Sequence, residues 1–370
     1  MSQTAANSGG ISTDGLPLVP SISLKTIPMA GLLVDVYGLD ELSANVSRVS
    51  CLWLHHQRTR NKEHMREIAA RCVGAWNEST GSEKDSRGLI ALAYDQRNHG
   101  TRLVHDPANG AWREGNKTHA QDMLGGIVGM VGDQRVLLDV VESYLFHDSG
   151  EEEGKQRKVI DHHLALGVSL GGHSVWQLMF ADPRVRAGVA VIGCPDFMNL
   201  ITDRARLSKL STYSADTGAA TFLGSKDFPP SLVAAACKTD PKGILFGTSP
   251  IPSSPASASP SSSPSSADED ERQRRQILLE RLQGKQFLLC NGAEDKLVPP
   301  RCGEAFTRWF KEAVDKYKEA RISVDERTYA GVGHTFSVGM VKDAVEWVKE
   351  VVKSADADIT AQARNGKSKI

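Results

Sequence analysis

The stretch "HHLALGVSLGGHSVWQ", residues 162–177, decides how the rest of the chain is interpreted. Its first half is an apolar run typical of a buried strand, and its second half has the composition of a helix. Between them lies "GVSLG", residues 167–171, in which Ser169 has a glycine two positions away on each side. Gly-x-Ser-x-Gly alone is a weak signal, but a strand before it and a helix after it predict a sharp turn that exposes the serine. Larger residues at the two glycines would collide with the neighbouring strand and helix.

The same alternation of strand and helix runs through the chain. Apolar runs at 49–56 and 88–100 each end in polar residues, and helical spacing follows at 61–79 and 118–146. The strands are apolar on both faces, which is how a parallel sheet covered by helices appears in a sequence. The predicted fold class is therefore α/β, with a mostly parallel central sheet flanked by helices.

Composition excludes several classes of function. The chain has 370 residues, of which 40% are hydrophobic and 24% charged, and its formal net charge is −1. Such a charge gives no basic field for nucleic acid or an anionic membrane. No apolar run approaches the ~20 residues that span a bilayer, and the polar N-terminus lacks a signal core. Six cysteines show no regular spacing, so we expect reduced thiols of an intracellular protein and no metal site.

The pattern also predicts a division of the chain. Periodicity weakens after residue 196, and the Pro/Ser-rich run that follows residue 248 cannot bury apolar area. The expected parts are a disordered tail at 1–22, a core at 23–196 and 283–355, a cap insertion at 197–247, a disordered linker at 248–275 and a C-terminal tail at 356–370.

A serine is a poor nucleophile without a base, and the base is expected to be a histidine. In strand–serine–helix sites the acid and then the histidine follow the serine along the chain. Only His173 and His334 follow Ser169. His173 lies one turn into the helix and should point away from the serine, so His334, in "AGVGHTF", is the expected base.

The acid should follow a strand between the serine and His334. The segment "LLCNGAEDKLVPP" offers Glu294 and Asp295, and Asp295 is preferred because it comes after a Gly-x-x step and directly before "KLVPP". Asp196, one strand earlier, is the reserve.

Two backbone N–H groups are needed to stabilise an oxyanion. Leu170, at the start of the helix, supplies one, and the loop after the third strand, "LHHQRTRN", supplies the other from His56 or Gln57. Arg58 and Arg60 follow in that loop. They are either exposed loop charges, the commoner case, or a clamp for an acidic substrate group.

Together these residues resemble the α/β-hydrolase superfamily over roughly residues 30–350, and fungal-type members more than lipases or peptidases. The segment "YDQRNHG", 94–100, looks like a loop that many members carry after the fourth strand. The resemblance implies that Asp95, Arg97 and His99 bond to each other there, and that a cap is inserted between strands six and seven. Serine at the turn excludes dehalogenases and epoxide hydrolases, which have aspartate.

The predicted function is a serine hydrolase that cleaves an ester or thioester of a small or medium-sized acyl substrate. Ser169 attacks, His334 moves the proton, Asp295 orients His334, and no cofactor is required. The alternatives are an acyltransferase with the same residues and a non-catalytic binding protein. The sequence leaves the oligomeric state open.

The expected compartment is the cytoplasm. The last three residues, Ser368-Lys369-Ile370, differ from a peroxisomal Ser-Lys-Leu signal by one isomeric side chain, so the peroxisome is the alternative.

Overall fold

An eight-stranded sheet forms the centre of the computed structural model, which describes residues 10–80, 87–147, 157–255 and 266–366. The strands are β1 (Leu24–Met29), β2 (Leu32–Tyr37), β3 (Arg48–His55), β4 (Gly88–Tyr94), β5 (Val159–Val168), β6 (Val185–Val191), β7 (Gln286–Gly292) and β8 (Ser323–Tyr329).

The strand order is β1-β2-β4-β3-β5-β6-β7-β8. The β1–β2 hairpin and the β2–β4 pair are antiparallel, and every later pairing is parallel. The predicted fold class is confirmed: this is the mostly parallel, helix-flanked sheet of an α/β-hydrolase fold. The carboxyl ends of β3 to β8 therefore meet at one edge, which we call the carboxyl edge, and their starts meet at the amino edge.

Helices cover both faces of the sheet. One face packs against α1 and α10, and the other against α2, α3, α8 and α9. The central strands β3 and β4 are buried almost throughout, which explains their unbroken apolar runs in the sequence. The helices are α1 (Arg66–Thr80), α2 (His119–Phe146), α3 (Leu170–Ala181), α4 (Phe197–Leu207), α5 (Ala219–Phe222), α6 (Pro230–Thr239), α7 (Pro241–Phe246), α8 (Ser266–Leu282), α9 (Glu304–Lys316) and α10 (Val338–Gly366).

The insertion between β6 and β7 contains α4 to α8. Phe197, Phe222 and Phe228 of the insertion form an apolar cluster that includes Leu170, the first residue of α3. The insertion therefore packs directly onto the end of the motif at 167–171.

The structure differs from the predicted linker at 248–275, because α8 begins at Ser266. Acidic residues in its first turn suit a helix N-terminus, and Leu278 and Leu282 anchor its other end in the core. Residues 256–265, the centre of the predicted linker, lie outside the described residues.

The two predicted tails also differ from the structure in part. Ser12 donates its N–H to the Phe336 carbonyl at 2.9 Å, and Leu16 and Ile22 pack on the core, so residues 10–22 lie against the protein. Residues 1–9 lie outside the described part. At the other end α10 continues to Gly366, and the Ser368-Lys369-Ile370 signal lies outside the described residues.

None of the described helices combines the length and apolarity needed to cross a membrane. All six cysteines are free thiols, and Cys237 alone among them is not fully buried. Within the described ranges no three His, Cys, Asp or Glu side chains are grouped as metal ligands would be.

Candidate active site

The turn between β5 and α3 is strained in the way the motif predicts. Ser169 has φ 55° and ψ −112°, a conformation that side chains rarely adopt. A Cβ on Gly167 would lie 2.1 Å from the Gly171 carbonyl oxygen, and a Cβ on Gly171 would lie 2.1 Å from the His55 oxygen. Both glycines are therefore required by close backbone approach.

Ser169 is less accessible than the turn alone predicts. Its side chain was expected to be exposed, yet the residue is 8% exposed. Leu170 beside it packs into the apolar cluster of the insertion, a contact between segments that are distant in the sequence.

The structure brings Ser169, His334 and Asp295 together. Ser169 Oγ lies 2.9 Å from His334 Nε2, and His334 Nδ1 lies 2.7 Å from Asp295 Oδ2. Because an ionised carboxylate only accepts, His334 donates through Nδ1 and offers Nε2 as the acceptor for the serine hydroxyl. The Ser169 hydroxyl, the His334 ring and the Asp295 carboxylate thus form one continuous hydrogen-bonded line.

Backbone groups hold the acid in place. Asp295 Oδ1 accepts the N–H groups of Leu297 and Val298, both at 2.8 Å, which leaves Oδ2 for His334. Glu294, the other candidate in this loop, is exposed. The reserve candidate Asp196 instead caps α4 by accepting the Asn199 N–H at 3.0 Å.

His173 is turned away from the serine, as expected. Its Nδ1 accepts the Cys194 N–H at 2.8 Å, and burial lowers its pKa to about 3. Its Nε2 is buried without a hydrogen-bond partner in the described part of the chain. With Nδ1 engaged by the backbone and the ring held neutral, we expect His173 to be a packing residue.

The two expected oxyanion donors lie on adjacent segments. Leu170 is the first residue of α3, and its N–H has no acceptor within the helix. The close approach of Gly171 to the His55 oxygen puts the loop after β3 beside it. His56 and Gln57 are both buried in that loop.

The His56 side chain serves the loop itself. Its Nδ1 donates to the Gln57 carbonyl at 2.7 Å, and its Nε2 accepts the Gln96 N–H at 3.0 Å. The Gln96 side chain in turn donates to the His56 carbonyl. This imidazole, whose pKa burial lowers to about 3, therefore fixes the backbone at 56–57.

The prediction that Asp95, Arg97 and His99 bond to each other is wrong for their side chains. Asp95 accepts the N–H groups of Lys62 and Thr101 at 2.9 and 2.8 Å, so it ties two loops together. The Arg97 guanidinium pairs with Asp133 at 2.9 Å. Only a contact of His99 Nδ1 with the Arg97 carbonyl, at 2.9 Å, joins two of the three. The physical reason is that α2, distant in sequence, brings a carboxylate to Arg97.

The chain matches no family model and no curated protein. Among solved structures it is similar to a protein from Thermus thermophilus, at 16% identity and TM-score 0.49, over 90% of this chain and 98% of that one. A hyperthermophilic esterase from the archaeon Pyrobaculum calidifontis shares 12% identity at TM-score 0.43, over 91% and 85%. Porphyromonas gingivalis dipeptidyl peptidase 4 shares 13% at TM-score 0.44, over 90% of this chain and 36% of its own. The chemistry of this chain follows from its own residues.

Sequence reasoning missed Arg204, which α4 brings next to the acid loop. Its Nη2 donates to the Leu297 carbonyl at 3.3 Å. A signal was present, because Arg204 follows Leu200 and Ile201 by one helical turn and so lies on the apolar side of α4. A cation on the apolar side of an amphipathic helix is unusual, and it indicates a structural or ligand-binding role.

The two loop arginines have different positions. Arg58 is half-buried and donates to the Asn109 carbonyl at 3.0 Å. Burial lowers its pKa. Arg60 closes the loop by donating its backbone N–H to the Gln57 carbonyl at 3.2 Å.

Proposed function

We propose that this protein is a serine hydrolase that cleaves an ester or thioester of a small or medium-sized acyl substrate. The observation that carries the proposal is the unbroken hydrogen-bonded line from Ser169 through His334 to Asp295. Nucleophile, base and orienting acid are the three parts that acyl transfer to a serine needs.

The reaction has two halves. His334 Nε2 takes the proton as Ser169 Oγ attacks the carbonyl carbon, and the oxyanion is held by the N–H of Leu170 and that of His56 or Gln57. His334 then protonates the leaving alcohol or thiol, which departs and leaves an acyl-serine. Water, deprotonated by His334, releases the acid. Every step uses the chain's own side chains and backbone.

Acyl transfer to an alcohol or amine is a second candidate. The low exposure of Ser169 beneath the proposed cap at 197–247 supports it, because a dry acyl-enzyme survives longer against water. Adding a primary alcohol to the assay separates the two: an ester product at the expense of free acid indicates transfer.

Covalent labelling tests whether Ser169 is a reactive nucleophile, on which the whole proposal depends. A fluorophosphonate should add one label to the native protein, and peptide mapping should place it on Ser169. The matched control is Ser174→Ala, which removes a buried serine of α3 that bonds the Leu170 carbonyl at 3.1 Å and should label as the wild type does. A wild-type protein that takes no label would instead be a non-catalytic member of this fold.

A substrate panel then defines the acyl group. 4-Nitrophenyl esters and acyl-CoA thioesters of increasing chain length should be hydrolysed with a clear optimum, and Ser169→Ala should hydrolyse none of them. Hydrolysis that persists in Ser169→Ala would contradict the proposal.

A further inference from the structure

A cavity of about 290 Å³ lies beside the acid loop. Its walls come from the loop after β3, the start of α2, the buried side of α4 and the acid loop, through Arg58, Trp112, His119, Arg204 and Leu297. We call it the arginine cavity. A second cavity of about 240 Å³ shares the wall residues Arg58 and His119 with it and is also lined by Leu170, the residue after Ser169.

Arg204 has weak partners for a cation in this position. One Nη lies 2.8 Å from the Met123 sulfur and 3.4 Å from His119 Nε2, and the other donates to the Leu297 carbonyl at 3.3 Å. Its Nε is buried and has no hydrogen-bond partner in the described part of the chain. The guanidinium therefore retains unused donor capacity.

In the described part of the chain no carboxylate pairs directly with the arginines of the cavity, although the charges of Glu114 and Asp295 act on Arg58 and Arg204 from a longer distance. Across the described ranges no carboxylate comes within 4 Å of the guanidinium of Arg204 or of Arg58. Asp203, the acid next to Arg204 in sequence, pairs with Arg206 and Arg301, both at 2.7 Å. Arg58 and Arg204 thus line one cavity without a direct counter-ion, together with the exposed Arg113 and Lys296. A ligand that supplies negative charge would be stabilised there.

The electrostatics agree with this geometry. Burial, and then the charge of Arg58, lower the pKa of Arg204 to about 9. His119 adds no further positive charge, because burial and the charges of Arg204 and Arg58 lower its pKa to about 3. Its Nδ1 contacts the Gly110 carbonyl at 3.0 Å, which leaves Nε2 as an acceptor toward Arg204.

We infer that the arginine cavity binds a compact oxyanion carried by the substrate, a terminal carboxylate in the first instance, through the guanidinium groups of Arg204 and Arg58. A planar guanidinium fork matches a carboxylate with two parallel hydrogen bonds. Trp112, whose ring meets Phe222 edge-on at 5.9 Å, forms an apolar wall for the methylenes next to the anion. The inference rests on the proposed function and narrows its substrate class to acidic esters or thioesters.

The kinetic test compares two substrates of equal size. The 4-nitrophenyl monoester of glutaric acid ends in a carboxylate, and that of glutaramic acid ends in a neutral amide. We expect wild-type kcat/KM to favour the acid at least tenfold. Arg204→Gln and Arg58→Gln should each reduce that preference about 10- to 100-fold, since charged hydrogen bonds are lost. Arg204→Lys, which keeps the charge but not the fork, should fall between.

The matched control is Arg206→Gln. Arg206 lies on the same helix but is exposed and already paired with Asp203. Its removal should leave both the basal activity and the acid preference at wild-type values. An enzyme that hydrolyses the amide at least as well as the acid, or keeps its acid preference in Arg204→Gln, overturns the inference and leaves the proposed function intact.

A binding measurement separates this inference from the proposed function. Ser169→Ala should bind glutarate in calorimetry, and the double variant Ser169→Ala/Arg204→Gln should bind it at least tenfold more weakly. Binding of inorganic phosphate that also depends on Arg204 would assign the cavity to phosphate-bearing substrates with the same chemistry. Arg204-dependent binding in a protein that hydrolyses no ester would support the cavity and contradict the hydrolase. Absence of binding by either anion would contradict the cavity.

Discussion

Two buried cations at the amino edge of the sheet have close oxygen partners, whereas Arg204 at the carboxyl edge has only weak ones. Lys62, near that same edge, pairs with Asp35 at 2.6 Å, so the contrast concerns Arg204 and not the whole edge. At the amino edge, Arg87 is 2% exposed and meets Asp161 at 2.6 Å and Ser50 Oγ at 3.2 Å. Lys285, 1% exposed at the start of β7, donates to two backbone carbonyls at 2.6 Å each. At the carboxyl edge, Arg204 has no carboxylate within 4 Å in the described chain and one donor without a partner.

Other buried polar groups do not divide in the same way. Buried polar atoms without a hydrogen-bond partner in the described chain include Gln57 Oε1 and Gln96 Oε1 in loops at the carboxyl edge, but also Gln177 Oε1 in α3, Glu271 Oε2 in α8 and Trp309 Nε1 in α9. The strained Ser169 lies at the carboxyl edge. In parallel α/β sheets ligands bind at the carboxyl ends of the strands. The comparison of the two arginines indicates that the paired Arg87 serves stability, whereas Arg204 at the carboxyl edge keeps donor capacity for a ligand.

The largest effect expected is on catalysis. Ser169→Ala and His334→Ala should each lower ester hydrolysis by about 10⁴-fold or more, because nucleophile and base act as one unit. The measurement is kcat/KM on the best 4-nitrophenyl ester. Ser169→Gly should lose activity but gain stability. Its free energy of unfolding should be about 1 kcal/mol higher than that of the wild type, since glycine adopts positive φ without strain. A loss of stability in Ser169→Gly would contradict the claim of strain at this edge.

The second-largest effect on catalysis is expected for Asp295, the proposed acid. In Asp295→Asn the side-chain oxygen can keep the amides of Leu297 and Val298, so an NH₂ group faces His334 Nδ1. That histidine must then carry its proton on Nε2, where it cannot accept from serine, and kcat should fall about 10²- to 10⁴-fold. Asp196→Asn is the matched control, because Asp196 caps α4 and makes no contact with His334. A larger kinetic loss in Asp196→Asn than in Asp295→Asn would reassign the acid.

Two arginine variants test the comparison of Arg87 and Arg204 directly. Arg87→Met leaves Arg48, at 2.6 Å, as the one arginine of the described chain still paired with the Asp161 carboxylate. We expect the free energy of unfolding to fall by about 2–3 kcal/mol. Arg204→Met removes a cation that has no direct counter-ion, so its stability should stay within about 0.5 kcal/mol of wild type or rise. Urea unfolding of both variants measures the difference. Equal destabilisation by the two would remove the distinction between Arg87 and Arg204.

The smallest effect expected concerns Lys285 and pH. Burial lowers its pKa from 10.5 to about 7, so between these values the unfolded chain binds more protons than the folded one. The stability of wild type relative to Lys285→Met should therefore rise from pH 7 to 9, by about 1 kcal/mol for each pH unit. Unfolding curves of both proteins at pH 7, 8 and 9 measure this slope. A relative stability that is flat or falls with pH would show that Lys285 stays charged in the fold.

The fold class and the serine turn could be predicted from the sequence because both depend on local patterns. Buried parallel strands require unbroken apolar runs, and the approach of Gly171 to the His55 oxygen leaves no space for a side chain at that position. Their order after the serine and their places at strand ends are what predict His334 and Asp295. The sequence leaves Asp196 as a reserve for the acid, and in the structure it is Asp295 that contacts His334, at 2.7 Å.

Other features depend on segments that are distant in the chain. The charged run that begins α8 has a sequence typical of a linker. In the structure α8 is nevertheless anchored in the core by Leu278 and Leu282. The sequence of residues 10–22 is typical of a free tail, yet Ser12 donates its N–H to the carbonyl of Phe336 in the loop after His334.

The sequence by itself determined a parallel α/β sheet and a serine held between two glycines, because these follow from the periodicity of apolar residues and the size of single side chains. Only the tertiary structure decided which acid meets His334, how deeply Ser169 is covered and that Arg58 and Arg204, 146 positions apart, line one cavity without a direct counter-ion. Whether a charged side chain is buried or paired depends on its position in the folded protein. The position of Arg204 is set by the packing of α4 against α2 and the acid loop.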